Sequence, residues 1–241
     1  MAWPRVHHLP VTTMKSALKL YQPIIKNKKI TNGFFSRCSL NNFRNTVAGV
    51  ILAGGESSRM GKNKAFIEVH GVRMIDRTVS LFKEIFGEVI LVTNSPIEYL
   101  DVDIKIVKDL IPNIGPLGGI YTGLFFSSSP KAFFVGCDMP FLNKEVIQHF
   151  LDLAESAEIV VHRLNDYWEP LHAVYSRSFM KSIERLIELG ERRIIKGYKW
   201  TKVHEVTREE LTPLDPDLHS LLNFNTPEEL KKLLDIYTPY G

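Results

Sequence analysis

Short continuous runs of apolar residues alternate along the chain with stretches of helical spacing. Residues 47–52 are an apolar run that ends at Ala53 and a glycine pair, which predicts a strand covered on both faces. Apolar residues then recur at helical spacing through 75–86, and strand-like runs follow at 88–93 and 104–107. The body of the chain therefore opens with a β-α-β-β pattern.

The same alternation continues to the end of the chain. A loop rich in proline and glycine covers 109–119, followed by a predicted helix at 119–127 and a fully buried strand at 132–136. The remaining predicted elements are helices at 144–154 and 179–189, strands at 158–162, 171–176 and 202–206, and a closing helix with Thr226, Pro227 and Glu229 as a capping box.

Alternating strands and helices predict an α/β protein, a three-layer α/β/α Rossmann-like sandwich on a mixed, mostly parallel sheet. Ligands of such folds bind outside the carboxyl ends of the strands, so the chemistry is expected in the loops that follow them. Because the pattern starts at Val47, we interpret 1–46 as a basic, disordered extension and 47–241 as a single domain.

Charge divides the chain at the same point. Residues 1–46 carry eight Lys and Arg and no Asp or Glu, a net charge of +8, whereas the remaining 195 residues carry 22 basic against 27 acidic side chains, a net charge of −5. The acid-free segment lacks the apolar region of a secretory signal, which leaves a transit peptide, a disordered extension or an upstream start codon open. The acidic body argues against a nucleic-acid partner.

Apolar runs and cysteines limit the location and the metal chemistry. No apolar run reaches the about 18 residues that a membrane span needs, so no membrane partner is expected. Two cysteines, Cys38 and Cys137, cannot form a disulfide framework, which indicates a reduced, cytoplasmic protein whose metals have oxygen or nitrogen ligands. No base lies near Cys137 in sequence, so we interpret it as a core residue rather than a nucleophile.

The loop at 52–64 combines adjacent glycines with Arg59, Lys62 and Lys64. Glycines let backbone N–H groups approach an anion closely, and the cations add positive charge, so the loop is typical of a phosphate site. Its spacing matches neither a Walker A loop nor a G-x-G-x-x-G fingerprint. The alternative is a plain glycine-rich turn with solvated cations.

Two aspartates follow strands at the same predicted edge of the sheet. Asp138 comes after the buried strand 132–136, where a carboxylate suits Mg²⁺, which prefers one or two carboxylates together with substrate phosphates. The alternative for Asp138 is a helix N-cap or a turn-forming role before Pro140. Asp109 admits both interpretations and a third, accepting hydrogen bonds from a nucleotide base or ribose.

These motifs carry a family resemblance. Residues 52–64 resemble the signature of the sugar-phosphate nucleotidyltransferase superfamily, and five later motifs narrow the resemblance to the molybdenum cofactor guanylyltransferase, or MobA, family. The five are GPLGG at 115–119, CDMP at 137–140, EPLHA at 169–173, GERR at 190–193 and NFNTPEE at 223–229. The resemblance runs from about Val47 to Leu234 and says nothing of 1–46.

The resemblance implies transfer of GMP from GTP to the phosphate of molybdenum-bound molybdopterin, with Mg²⁺ required and pyrophosphate released. It implies GTP and molybdopterin as partners, with molybdenum cofactor biosynthesis proteins and apo-molybdoenzymes as further candidates. The nucleotide-binding residues carried over by position are Leu52, Ala53, Gly54, Lys64, Asn94, Asp109 and Asp138, with Asp138 also the magnesium ligand.

The residues agree with such a reaction. The acceptor phosphate is already a dianion at pH 7, so no general base is needed. In-line attack then requires alignment and charge neutralisation, for which Asp138 with Mg²⁺, Lys64 and Arg59 are the catalytic candidates. Asn225 is either a second metal ligand or a helix cap.

Three further residues are candidates for the acceptor side of the pocket. Glu169 and the pair Arg192 and Arg193 lie in motifs of the same resemblance. The arginines either pair with the acceptor phosphate or are surface charges of a helix.

Two other functions fit parts of the pattern. One is a transferase on the same scaffold that uses CTP or a sugar or alditol phosphate acceptor. The other is a non-catalytic nucleotide-binding accessory protein. Retention of Lys64, Asp109 and Asp138 argues against it.

Overall fold

The computed structural model describes residues 46–53, 63–164 and 166–236. The strands are β1 (Val47–Leu52), β2 (Glu68–Val69), β3 (Val72–Arg73), β4 (Val89–Thr93), β5 (Lys105–Lys108), β6 (Lys131–Gly136), β7 (Ile159–Leu164), β8 (Tyr167–Ser176) and β9 (Val203–Val206). The α-helices are α1 (Met74–Ile85), α2 (Pro116–Phe126), α3 (Lys144–Leu153), α4 (Met180–Glu188), α5 (Arg208–Leu211) and α6 (Pro227–Ile236).

Seven strands form one mixed sheet in the order β5-β4-β1-β6-β8-β7-β9, and β2 pairs with β3 in a separate hairpin. β5, β4, β1 and β6 are parallel neighbours, whereas β8 runs antiparallel to both β6 and β7. Because β8 is reversed, its first residues lie at the same edge of the sheet as the carboxyl ends of β1, β4, β5 and β6.

Helices cover both faces of the sheet, as predicted for a three-layer α/β/α sandwich. One face packs against α2 and α4, and the other against α1 and α3. β1 is buried at all six positions because it lies between two strands and two helical layers. Among the described residues, no helix is long and apolar enough to cross a membrane.

The structure corrects two predicted boundaries. Helix α2 begins at Pro116 rather than at 119, because proline suits the first helical position and the glycines that follow lie inside the helix. A Cβ atom at Gly118 would collide with the Ile111 carbonyl oxygen, so this glycine lets the helix pack against the preceding loop. Strand β8 begins at Tyr167 rather than at 171, and a bulge after Val161 accommodates its proline.

The predicted cap of the closing helix forms with one difference. The Thr226 hydroxyl accepts a hydrogen bond from the Glu229 N–H at 3.1 Å, as a capping box requires. The Glu229 carboxylate, however, accepts from the N–H of Asn225 at 2.6 Å, one residue before the cap. The turn that carries Asn225 is therefore fixed from the helix side.

His172 on β8 is an unusual member of the core. Its ring is buried, contacts the rings of Phe133 and Phe150 edge-on at 4.9 and 5.0 Å between centroids, and has no hydrogen-bond partner for either nitrogen among the described residues. Burial lowers the pKa of His172 to about 3; a charge on His162 would lower it further, whereas Asp215 raises it. The folded protein therefore holds His172 neutral.

Acidification is expected to destabilise the fold through His172. The unfolded chain binds a proton at this imidazole near pH 6.5, whereas the folded chain does so only near pH 3, so stability falls as pH falls between these values. By pH 4.5 the loss is about 3 kcal/mol. The measurement is the free energy of unfolding in urea at pH 7 and 4.5, for the natural chain and for His172→Phe.

The substituted chain keeps an aromatic ring at the site but cannot take up the proton. Its loss of stability on acidification is expected to be smaller by about 3 kcal/mol, and any fixed packing cost cancels between the two pH values. An identical pH dependence in both chains would contradict the assignment to His172.

Candidate active site

The carboxyl end of β1 lies in the middle of the sheet edge and carries the first two predicted nucleotide-binding residues. The Leu52 carbonyl accepts a hydrogen bond from the Cys137 N–H at 3.1 Å, and the Ala53 N–H donates to the Val92 carbonyl at 2.9 Å. Leu52 and Ala53 are thus tied to both neighbouring strands. The glycine-rich loop that follows, with Gly54, Arg59 and Lys62, lies outside the described residues, so its predicted phosphate role stays a prediction.

A cleft opens beside Leu52 on the β4 and β5 side of the edge. It brings Leu52, Asn94 and Asp109 together, three of the residues predicted to bind the nucleotide. Asn94 directly follows β4 and is exposed. The lining residues are Leu52, Val92, Thr93, Asn94, Asp109, Gly115, Pro116 and Gly119.

Asp109 is fixed by its own loop and by α2. Its Oδ1 accepts hydrogen bonds from the Ile111 N–H at 3.0 Å and from the Thr122 hydroxyl at 2.8 Å. Burial raises the pKa of Asp109, and the two hydrogen bonds act in the opposite direction. The turn-forming interpretation is therefore correct for one oxygen, while the residue still lines the cleft.

Lys64 is placed by the short 3-10 helix Lys64–Phe66, which Asn63 caps by accepting a hydrogen bond from the Ala65 N–H at 3.1 Å. The Lys64 ammonium donates to the Phe224 carbonyl at 2.7 Å and to the Asn225 Oδ1 at 3.4 Å. Only 13% of the Lys64 side chain is exposed. A cation is thus held at the junction of two chain segments far apart in sequence.

Asp138 lies on the other side of this ammonium. Its Oδ2 is 3.9 Å from the Lys64 Nζ, and its backbone carbonyl accepts from the Phe224 N–H at 3.2 Å. Burial raises the pKa of Asp138, and the positive charge of Lys64 opposes that shift. A Cβ atom on Gly136 would lie 2.5 Å from the Asp138 Oδ1, so the glycine leaves room for the carboxylate at the strand end.

Asn225 joins the same cluster. Because the Thr226 hydroxyl caps α6, the Asn225 amide oxygen is not needed as a cap and instead faces Lys64. Of the two interpretations of Asn225, the structure favours a position in the site over a capping role. Lys64, Asp138 and Asn225 are named together below as the Lys64 cluster.

The Lys64 cluster offers oxygen donors of the kind that hard divalent cations prefer. Among the residues that the structure describes, no group of three or more His, Cys, Asp or Glu side chains could hold a metal ion by itself. Asp138 and Asn225 supply one carboxylate and one amide oxygen, both hard donors. Such a partial set suits a divalent cation held jointly with substrate phosphates, rather than a metal enclosed by protein ligands.

Glu169 reaches the same edge because β8 runs antiparallel. It is 6% exposed, and its Oε1 accepts a hydrogen bond from the Leu171 N–H at 3.2 Å. Burial raises the pKa of Glu169 to about 7; the Leu171 N–H opposes this shift and the negative charge of Asp138 adds to it. Glu169 thus lies on the β8 side of Asp138, where the sequence motif suggested the acceptor.

The arginine pair lies apart from the Lys64 cluster. Arg193 forms a two-point ion pair with Glu191, at 2.9 and 2.7 Å, and no described contact joins Arg192 or Arg193 to the Lys64 cluster. The surface-charge interpretation thus fits Arg193 better than a phosphate contact.

Cys137 is a core residue, as predicted. Burial raises the pKa of the Cys137 thiol to about 12, and Cys137 packs against the core.

Sequence reasoning missed residues that act through the backbone or through another side chain. The Phe224 carbonyl binds Lys64, and Thr122 orients Asp109. Phe224 lies inside the 223–229 motif, which was the available signal, but a backbone carbonyl leaves no mark of its own in a sequence. Thr122 carries no signal, because its role depends on where α2 begins.

A mostly parallel sheet with charged and amide side chains gathered at the carboxyl edge defines an α/β nucleotide-binding protein of the nucleotidyltransferase fold. Residues 49–206 match the profile of the MobA-like NTP transferase domain family. The chain belongs to this family, and it is a nucleotidyltransferase.

Curated relatives and a solved structure agree with the family assignment. The molybdenum cofactor guanylyltransferase of Desulfosudis oleivorans is 39% identical over 188 residues, covering 77% of this chain and 93% of the relative. The enzyme of the same name from Syntrophotalea carbinolica is 34% identical over 187 residues, covering 77% and 89%. The crystal structure of molybdopterin-guanine dinucleotide biosynthesis protein A from Archaeoglobus fulgidus superimposes with a TM-score of 0.68 at 27% identity, covering 79% of this chain and 98% of that one.

Proposed function

We propose that this protein transfers GMP from GTP to the phosphate of molybdenum-bound molybdopterin, forming the guanine dinucleotide cofactor and pyrophosphate. The observation that carries the proposal is the Lys64 cluster, where an ammonium, a carboxylate and an amide oxygen meet at the carboxyl edge of the sheet. The names of the relatives in Desulfosudis oleivorans and Syntrophotalea carbinolica supply the substrates.

The cleft on the β4 and β5 side is the proposed site of the guanosine. Leu52, Asn94 and Asp109 line it, and Ala53 continues from β1 toward Gly54 and the glycine-rich loop. Backbone groups and the half-buried carboxyl of Asp109 provide both acceptors and donors for a base edge that carries both. The triphosphate then extends from this cleft toward Lys64 and Asp138.

The proposed transfer requires little of the protein beyond positioning the reactants and neutralising their charge. An oxygen of the acceptor phosphate attacks the α-phosphorus of GTP, the bond to the β-phosphate oxygen breaks, and pyrophosphate leaves. Lys64 neutralises charge on the phosphates, with Arg59 of the preceding loop as a second cation. Asp138 and Asn225 are the residues proposed to hold Mg²⁺, which when bound lowers the charge repulsion between the reacting phosphates.

The wider setting follows from the substrates. Molybdenum cofactor biosynthesis proteins and apo-molybdoenzymes, which the family resemblance implies, are the proposed protein partners. A composition with only two cysteines supports a reducing, cytoplasmic location.

Nucleotide selection distinguishes this function from a CTP-dependent transferase. We expect GTP to bind about 10⁴-fold more tightly than CTP, because buried polar groups matched to one base are left unpaired by another. The measurement is isothermal titration calorimetry with each nucleotide in the presence of Mg²⁺. Equal affinity, or tighter binding of CTP, would contradict the proposal and favour a cytidylyltransferase.

Turnover distinguishes the proposed guanylyltransferase from a non-catalytic accessory protein. Pyrophosphate release from GTP, dependent on the molybdenum-bound acceptor, supports a transferase. Tight binding of GTP without any release would support a non-catalytic nucleotide-binding role.

A further inference from the structure

The residue before Lys64 is bound to the turn that follows β4. The Asn63 Nδ2 donates hydrogen bonds to the Tyr99 hydroxyl at 2.8 Å and to the Glu98 Oε2 at 2.9 Å. Its Oδ1 accepts from the Ala65 N–H at 3.1 Å. Both polar atoms of the Asn63 side chain are therefore engaged, and they connect the backbone next to Lys64 with a turn 35 positions further along the chain.

Tyr99 is the buried end of this connection. It is 0% exposed, and its ring packs against that of Phe66 with 4.9 Å between the centroids. Burial raises the pKa of Tyr99, and hydrogen bonds from the Asn63 and Thr93 side chains to its hydroxyl oppose the rise. Thr93 is the last residue of β4 and lines the cleft proposed for the guanosine. The Tyr99 hydroxyl thus joins the lining of the cleft to the residue before Lys64.

A second contact docks the same segment on the same turn. The Arg73 guanidinium pairs with Asp101 at 2.6 Å and lies 5.5 Å from the centroid of the Phe66 ring. Residues 63–73 are therefore bound at both ends to the chain that leaves β4. A lysine side chain is long and flexible, so the place of its charge depends on how firmly its backbone is held. In enzymes, a displacement of about 1 Å can cost up to about 10²-fold in rate.

We propose that Asn63 and Tyr99 are positioning residues for Lys64, holding its ammonium at a fixed distance from the guanosine cleft so that base and phosphates of one nucleotide are bound together. This inference rests on the proposed function. Asn63 acts through the backbone of its neighbour Lys64, and Tyr99 acts through Asn63. The alternative is a contribution to stability alone, in which case the effect of the contact would not depend on the ammonium.

The test is a double-variant cycle of Tyr99→Phe and Lys64→Met. Phenylalanine keeps the buried ring and its packing on Phe66 but removes the hydroxyl. We expect Tyr99→Phe to lower kcat/KM for GTP about tenfold in the natural chain, as for the loss of one hydrogen bond, and by less than about twofold in the Lys64→Met chain. An equal fall in both chains, or no fall in the natural chain, would overturn the inference.

The variant Asn63→Ser separates this contact from the cap of the short helix. A serine hydroxyl can still accept from the Ala65 N–H, but it is too short to replace the amide donor to Tyr99 and Glu98. We expect Asn63→Ser to lose at least as much kcat/KM as Tyr99→Phe, and to lose little in the Lys64→Met chain. Full activity of Asn63→Ser would overturn the inference.

Tyr121→Phe is the matched control for Tyr99→Phe. Tyr121 is 1% exposed, and its hydroxyl donates to the Glu184 carboxylate at 3.0 Å between α2 and α4, on the other face of the sheet. We expect kcat/KM to stay unchanged in Tyr121→Phe. A loss equal to that of Tyr99→Phe would show that any buried tyrosine hydroxyl has this effect, and would overturn the inference.

Calorimetry of GTP binding in the presence of Mg²⁺ repeats the cycle without the acceptor. Tyr99→Phe should weaken GTP binding at least about threefold in the natural chain and leave it unchanged in the Lys64→Met chain. Equal weakening in both chains would overturn the inference. If the binding cycle shows this dependence on Lys64 and no GMP is transferred, the proposed function fails while the positioning role is supported.

Discussion

Replacing Asp138 with Asn is expected to reduce kcat by about 10³-fold or more, with little change in the melting temperature. Asp138 is the carboxylate of the Lys64 cluster, and metal-assisted charge stabilisation is worth several kcal/mol in a transition state, where about 1.4 kcal/mol is a factor of ten. Asparagine has the same shape without the charge. Because burial raises the pKa of Asp138, removing its charge should cost the fold little.

The measurements for Asp138→Asn are steady-state turnover at saturating Mg²⁺ and thermal unfolding of the same preparation. Asp103→Asn is the matched control, since Asp103 is exposed and pairs with Lys83 on the surface. Turnover close to that of the natural chain, or a large fall in melting temperature that accounts for the lost activity, would contradict the assignment of Asp138.

Replacing Lys64 with Met is expected to lower kcat/KM for GTP by about 10²- to 10³-fold. Methionine keeps most of the apolar length of the side chain but removes the ammonium that contacts Phe224 and Asn225. A fixed donor aimed at developing negative charge contributes that much in enzymes of known mechanism. The measurement is the dependence of initial rate on GTP concentration.

Lys83→Met serves as the control for Lys64→Met, because Lys83 is an exposed cation on α1 whose ion pair is on the surface. The double variant of Lys64 and Asp138 should lose less than the product of the single losses, since both residues act on the same phosphates. Fully multiplicative losses would indicate two independent functions.

Elements whose formation depends on local pattern were predictable from the sequence. β1 was placed correctly at Val47–Leu52, because a run of apolar residues that ends in glycine has few alternatives to a buried strand. The start of β8 at Tyr167 was not predicted. A strand that contains Pro170 forms only where a bulge accommodates the proline, and nothing in the local sequence indicates that bulge. The start of α2 was misplaced because glycines in a first helical turn read as a loop.

The candidate site was predictable residue by residue but not as an arrangement. Lys64, Asp138 and Asn225 were each picked out by their place after a strand or in a motif, yet the contact between Lys64 and Asn225 spans 161 positions. Both the Phe224 carbonyl and the Asn225 amide oxygen reach the Lys64 ammonium only because α6 packs where it does. The place of Glu169 at the same edge likewise follows from the reversal of β8, which a strand pattern leaves open.

GTP labelled at its α-phosphorus, incubated with the protein, Mg²⁺ and molybdenum-bound molybdopterin, tests the proposed reaction most directly. We expect the label to appear in a product with the mass of the guanine dinucleotide cofactor, with one pyrophosphate released for each product formed. Omission of the acceptor should abolish both signals. Label that stays in GTP while the acceptor is present, or transfer from labelled CTP in its place, would contradict the guanylyltransferase function.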